Sequence, residues 1–359
     1  MSTAGTSLTQ RRWRERPRVL LVLALVGCVT LLVSAVLALG VGSVPVAPHA
    51  VVDVVLQRMG ADVPAEVLAD RIVWDLRMPR VLGAAAAGTA LAGCGAVLQS
   101  LTRNDLADPY LLGIASGAQA GAVSVIVLGV GVGGLAGAAA LTVAGFAGAL
   151  AALIAVLALA AGRSGELSPV RVVLAGVVVA YVSSAYSSLV VLAGDGDAAR
   201  RVLSWTLGSF AGIRWTSAAV LVVVALLSVV AFVAVADALD AFAFGESAAR
   251  SLGVPVSAMR WALMVATALV TAGVVAQVGA IGFVGLVVPH VARLLVGPRH
   301  RLLLPASALI GAILMVWADT VARSVVEGSE VPVGVITALV GAPFFAWLLR
   351  RGSGQGVAG

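Results

Sequence analysis

The chain has 359 residues, of which 61% are hydrophobic and only 11% charged, and its mean hydropathy is +1.08. Soluble domains average roughly 45–50% apolar and about 25% charged residues. A water-soluble globule is therefore excluded, and so is a disordered chain, which needs low hydrophobicity and high charge. The formal net charge is +6 and all 23 basic residues are arginine. With no lysine there is no G-x-x-x-x-G-K-[ST] phosphate loop and no Schiff-base site, which removes standard ATPases, retinal proteins and pyridoxal enzymes. What remains is an all-α polytopic membrane protein built from Gly- and Ala-rich helices.

A helix crosses the hydrocarbon core in about 20 apolar residues. Residues 1–17 form an arginine-rich N-terminal tail. Its QRRWR hints at a twin-Arg signal, but the apolar run that follows exceeds the usual h-region of about 7–15 residues, and no A-x-A site precedes Pro45. The front half of the uncharged run 19–52 is therefore read as the first span. Run 81–102 gives one span, and run 109–162 gives two, divided by the Gly cluster at 129–137. Run 172–194 gives one. Run 202–213 is too short to cross and suits an interfacial or re-entrant helix. Run 215–236 gives one span. Run 261–292 breaks near Gly279–Gly282 into a full span and a shorter, Pro-containing one. Run 302–318 continues past Asp319 to Arg323, and run 331–349 is the last. The total is about ten helices.

The positive-inside rule orients them. With the N-terminus inside, most of the 23 arginines fall in cytoplasmic segments, and five acidic residues offset the four arginines of segment 41–80. Both termini are then cytoplasmic. The expected organisation is one transmembrane domain, 18–351, with an extracytoplasmic segment at 41–80, a cytoplasmic loop at 237–257 and a C-terminal tail at 352–359. Cys28 and Cys94 lie in apolar runs and read as small hydrophobes, not as metal ligands or a disulfide.

Three stretches carry more than hydropathy. They are RMPRVLGAAAAGTALAGCGAVLQSLTRNDLADPYLLGIASGA at 77–118, FGESAARSLGV at 244–254, and the C-terminal 279–351, which holds GAIGFVGLVVPHVAR, ADTVAR, PVG and GAPFF in that order. This chain resembles the FecCD-type permeases, the membrane subunits of ABC importers for ferric siderophores, haem and cobalamin. Two positions depart from the family pattern: Asp105 replaces a Pro after the second span, and Ala280 replaces the Pro of G-P-I-G-F. The resemblance implies a type II importer permease fold, working as a homodimer or close heterodimer in the plasma membrane of a prokaryote. It also implies two ATPase subunits below, which use ATP and Mg, and an extracytoplasmic substrate-binding protein above. This chain itself is expected to bind no cofactor, metal or nucleic acid. A ferric siderophore is the expected cargo, with haem and cobalamin as alternatives.

Residue by residue, Arg77 and Arg80 of R-M-P-R sit just before the second span, with Pro79 suited to a first helical turn. On chemistry alone they read as interfacial snorkelling. The resemblance makes them, with Arg323, docking residues for carboxylates of the binding protein, a role that suits the guanidinium fork. Asp319 and Arg323 are i,i+4 on the ninth span and read as a pair. Gln99, Asn104 and Ser116 either join helices or line the route, and the residues leave both open. His290 and Arg293 of P-H-V-A-R read as structural, because a metal needs three or four ligands. Segment E-S-A-A-R-S-L followed by Gly253 fits a short helix with a glycine C-cap. The resemblance makes it the coupling helix, carried by Glu246, Ser247, Ala248, Ala249, Arg250, Leu252 and Gly253, with Ala248, Ala249 and Leu252 as its apolar face. An ion-coupled secondary transporter would need acidic or His groups at mid-membrane, where only Asp319 is a candidate. A membrane hydrolase would show H-E-x-x-H or G-x-S-x-G, and neither occurs.

Overall fold

A computed structural model describes residues 17–42, 44–129, 137–161, 168–326 and 328–352. The tails at 1–16 and 353–359 and most of the Gly cluster, 130–136, lie outside the described residues. In chain order the helices are α1 (Pro17–Gly40), α2 (Pro48–Arg58), α3 (Val67–Asp70), a π-helical turn (Arg71–Arg77), α4 (Met78–Thr102), a 3-10 turn (Pro109–Leu112), α5 (Ile114–Leu128), α6 (Gly137–Ala161) and α7 (Pro169–Leu192). They continue as α8 (Gly196–Thr206), α9 (Trp215–Ala234), α10 (Ala236–Ala243), α11 (Glu246–Ser251), α12 (Val256–Val278), α13 (Val284–Val296), α14 (His300–Ala322) and α15 (Val333–Gly352). Among the described residues seven helices are long and apolar enough to cross a membrane, and α5, α13 and Val333–Trp347 are shorter apolar helices. Seven spans and three shorter apolar helices match the expected count of about ten only approximately.

Helix α4 is the centre. The apolar window of Val67–Thr102 is 83% buried, whereas that of Leu21–Gly40 is 11% buried. The reason is the Ala/Gly composition of α4, since small side chains let neighbouring backbones approach without lipid in between. A Cβ on Gly88 would lie 2.1 Å from the carbonyl oxygen of Gly311 on α14, and one on Gly95 would lie 1.9 Å from that of Gly285 on α13. Both crossings therefore require glycine. The Gly117-x-x-x-Gly121 repeat does the same for α5 against α6: a Cβ on Gly121 would sit 2.0 Å from the Ala144 carbonyl oxygen.

Run 202–213 does not cross. Helix α8 ends at Thr206 and the chain dips back, where Ser209 N–H donates to Val278 O at 2.8 Å and Val333 N–H donates to Gly208 O at 2.9 Å. Three interrupted backbones thus satisfy one another, the condition for irregular chain at membrane depth. At the interruption between α12 and α13, Tyr110 Oη accepts from Ile281 N–H at 2.9 Å. Phe283 there has φ +69, the left-handed region that a bulky residue rarely enters. Its side chain is accommodated because residue 341 has none: a Cβ on Gly341 would lie 2.5 Å from Phe283 Cβ. The G-F-V-G and G-A-P signatures are therefore two halves of one contact.

Candidate functional site

Two polar clusters occupy opposite ends of the α4–α14 pair. The first is built on the π-turn, which leads into α4 at Arg77 and places Pro79 in the first turn of α4. Arg77, Arg80 and Arg323 converge here and all three are buried. Arg77 Nη1 donates to Leu39 O at 2.6 Å and Gly40 O at 3.1 Å, and its Nη2 donates to Val44 O at 2.5 Å. Arg323 Nη2 donates to Ala38 O. Both guanidiniums therefore cap the open carbonyls at the C-terminus of α1, where a cation also complements the helix dipole. Arg80 lies between two carboxylates. Its Nε is 2.9 Å from each oxygen of Asp319, which is 1% exposed, and its Nη1 is 2.8 and 2.9 Å from the oxygens of Glu330, which is 44% exposed. Asp319 also approaches Arg323 Nε at 4.0 Å.

Arg77, Arg80 and Arg323 thus face inward, because a buried guanidinium demands partners. They still line a cleft of about 310 Å3, together with Glu330 and Arg214. Arg214 is exposed. Sequence reasoning passed over Arg214 and Glu330; Arg214 is the residue just before α9, the position at which a helix-end cation could have been noticed.

The second cluster lies at the other end. Asp240 on α10 accepts the backbone N–H of His300 at 2.9 Å and its Nδ1 at 2.6 Å, so one carboxylate caps α14 and orients the imidazole. His300 Nε2 is 2.5 Å from Ser100 Oγ on α4. The Ser–His–Asp order matches a hydrolase triad in outline only, since Ser100 is buried in α4 with its hydroxyl also 3.0 Å from Ala96 O. It is a clasp between three helices. Arg301 adds a fork to Asp237, at 2.8 and 2.7 Å. The hydrogen bond from Arg301 holds the Asp237 carboxyl below its ordinary value. His300 is the first residue of α14, and its backbone N–H is capped by Asp240.

Helix α11 follows directly. Gly245 and Gly253 bound it with φ +101 and +82. Gly253 N–H donates to Arg250 O and Val254 N–H to Ala249 O, both at 3.0 Å, the Schellman closure in which only glycine fits at the left-handed position. Glu246 turns inward to Arg260 at 2.5 Å on α12 and lies 3.8 Å from Arg250. Ala249 is also buried, which corrects the expected apolar face. In a helix this short the face is set by the flanking turns, and the side chains left exposed are Ser247, Arg250, Ser251 and Leu252, with Phe244 beside them and Ala248 half-buried. Phe244 and Leu252 are 79% and 69% exposed.

Of the remaining residues, Gln99 joins helices: its Nε2 donates to Gly285 O and Leu286 O at 3.3 Å, and its Oε1 accepts from Arg293 at 3.1 Å. Asn104 forms a turn, accepting Leu106 N–H at 2.9 Å, and Ser116 is half-buried on α5. Asp105, in the place of the family's Pro, pairs with Arg293 at 2.9 Å. His290 is half-buried on α13, one residue after Pro289. No group of three or more potential metal ligands occurs among the described residues.

The model of the FecCD transport family matches residues 30–351. This chain belongs to that family. It is 42% identical over 285 residues to the cobalamin import system permease protein BtuC of Halobacterium salinarum, covering 78% of this chain and 73% of that protein. It is 40% identical over 284 residues to the vitamin B12 import system permease protein BtuC of Vibrio cholerae, covering 79% and 84%. Among solved structures, a metal-chelate type ABC transporter in an inward-facing conformation superposes with a TM-score of 0.78 at 29% identity, covering 94% of this chain and all of that one. The protein is thus a multi-pass membrane permease of an ABC importer with the type II fold, and a transport component by class.

Proposed function

We propose that this permease translocates a large metal-centred chelate, with the arginine cleft outermost and the α10–α11 end in the cytoplasm. The observation that carries this reading is the polarity of the molecule. A basic cleft suited to carboxylates lies at one end of α4–α14, and an exposed Phe244–Leu252 patch suited to a protein groove lies at the other. The cleft then docks an extracytoplasmic substrate-binding protein. The patch, with Ser247, Arg250 and the Gly253 cap, rests on the ATPase subunits, where ATP and Mg are used. A second permease copy completes the passage within the lipid bilayer, and the chain itself holds no cofactor.

For the cargo, the two BtuC relatives favour cobalamin. A ferric siderophore is the second reading, supported by the metal-chelate type of the structural neighbour. Uptake of radiolabelled cyanocobalamin and of iron-labelled siderophores by transport-deficient cells expressing the complete importer separates them. Cobalamin accumulation is expected, iron accumulation alone would favour the second reading, and accumulation of neither would sink both. Arg214→Glu is expected to weaken binding-protein docking most at low salt, because exposed charges are screened. Wild-type docking in that variant would remove the cleft from the docking face.

A further inference from the structure

Arg80 is divided between two carboxylates of different character. Asp319 takes the Nε side and also the Nη2 atom, at 2.9 Å, and is sealed inside the protein. Glu330 takes Nη1 with both oxygens and is largely open to the cleft. Asp319 holds Arg80 at 2.9 Å and approaches Arg323 only at 4.0 Å, so Arg80 keeps a close buried carboxylate when Glu330 leaves. Among the described residues Glu330 is also the one carboxylate that lines the cleft, together with Arg77, Arg214 and Arg323. The backbone beside it is fixed, since Val331 N–H donates to Ala322 O at 2.9 Å. Glu330 can therefore leave Arg80 by side-chain rotation alone.

We propose that Glu330 is a placeholder carboxylate: it occupies the exchangeable edge of Arg80 in the free permease and yields that edge to an acidic side chain of the docking binding protein. This inference rests on the docking reading given above. During the exchange Asp319 keeps its bonds, so Arg80 is never left uncompensated. The incoming carboxylate reproduces the bidentate geometry, and Arg214 lines the same cleft and is exposed to receive a second acidic group. An intramolecular competitor at high effective concentration raises the threshold for any single anion. A surface that presents carboxylates at several fixed points overcomes it. The device thus serves selectivity against stray anions more than affinity for the partner.

The test uses the permease in nanodiscs, with the substrate-binding protein co-expressed with it as one probe and a fluorescent oligoglutamate peptide as an independent carboxylate probe. Glu330→Gln keeps the shape and removes the charge. Both probes are expected to bind about tenfold tighter at low salt, and the gain should shrink as the Debye length contracts. Glu330→Ala should move affinity in the same direction. Unchanged or weaker binding in both variants overturns the placeholder, because Glu330 would then be a fixed part of the docking surface. Arg214→Gln, run in parallel at an exposed position, separates the two ideas. Weakened binding there with no gain at Glu330 sinks only the placeholder. No change at either position sinks the docking reading with it.

Discussion

The two ends of the α4–α14 pair solve one problem with different chemistry. At the cleft end a guanidinium is fastened to a carboxylate that is 1% exposed. At the coupling end an imidazole bridges a hydroxyl and a carboxylate that is 32% exposed, with an ion pair outside it whose partners are 72% and 70% exposed. A full charge pair out of reach of water holds only while both partners are present, since removing one strands the other. A hydrogen-bonded clasp at the water's edge loses little when one member goes. The cleft end is therefore built to stay fixed and the coupling end to yield.

The contrast is tested most severely at Asp319. Asp319→Ala is expected to cost about 3–5 kcal/mol, because it leaves Arg80 buried and unpaired on its sealed side. Thermal unfolding in detergent reads this, and Arg80→Met with Asp319→Leu should recover most of the loss. A single variant as stable as wild type would show that water reaches this end.

At mid-length, Gly88→Leu should cost about 1–3 kcal/mol or prevent assembly, since the Gly311 backbone occupies the space. A tolerated leucine would mean that α4 and α14 part more easily than the clasps suggest.

At the coupling end, His300→Ala should cost only about 1 kcal/mol, because Asp240 keeps the backbone N–H of residue 300 and Ser100 keeps its bond to Ala96 O. Its larger signature is functional: more ATP hydrolysed per substrate delivered, with partial rescue by His300→Gln. An unchanged ratio would reduce the clasp to simple packing. Gly253→Ala is expected to cost about 1–2 kcal/mol for forcing a Cβ into a left-handed site, and to lower co-purification with the ATPase.

The smallest effect belongs to Asp237. Its folded-state value is depressed, so the bridge to Arg301 is present above the ordinary carboxylate value and is lost only as pH falls below it. Asp237→Asn should lower thermal stability at neutral pH only slightly, because the pair is exposed, and remove that acid-side dependence.

Much of this was legible in the sequence. The lengths of uncharged runs pointed to about ten apolar helices, seven of which are long enough to span among the described residues, because the bilayer sets a length that composition must meet. The re-entrant stretch after α8 was visible as a run too short to cross, and the Asp319–Arg323 pair as an i,i+4 spacing. What the sequence concealed was long-range partnership. Arg80 and Asp319 lie 239 positions apart, and Arg77 bonds backbone carbonyls, which leave no residue signature. The orientation of Ala249 was hidden because six residues make less than two turns and both faces look alike. The His300 clasp carried a faint signal that was passed over: two acids at i,i+3 on α10, Asp237 and Asp240, match the adjacent His300 and Arg301.

The sparse burial of α1 has a consequence for how the protein is made. Its first part is exposed from Leu21 to Val33 with few exceptions, and its held part is about the last two turns, tied by Arg77, by Arg323 and by Trp317 Nε1 to Ser34 Oγ at 2.9 Å. During synthesis the first span enters the bilayer on its own hydropathy and waits there. Two of its three fasteners, Trp317 and Arg323, are translated 300 residues or more after it begins. Until α14 arrives, Ala38 O and Ser34 Oγ of α1 lack their partners, so a ribosome stalled before residue 317 leaves a helix that is inserted and held by Arg77 alone. Membrane quality control would meet that loose first helix as the mark of an unfinished permease.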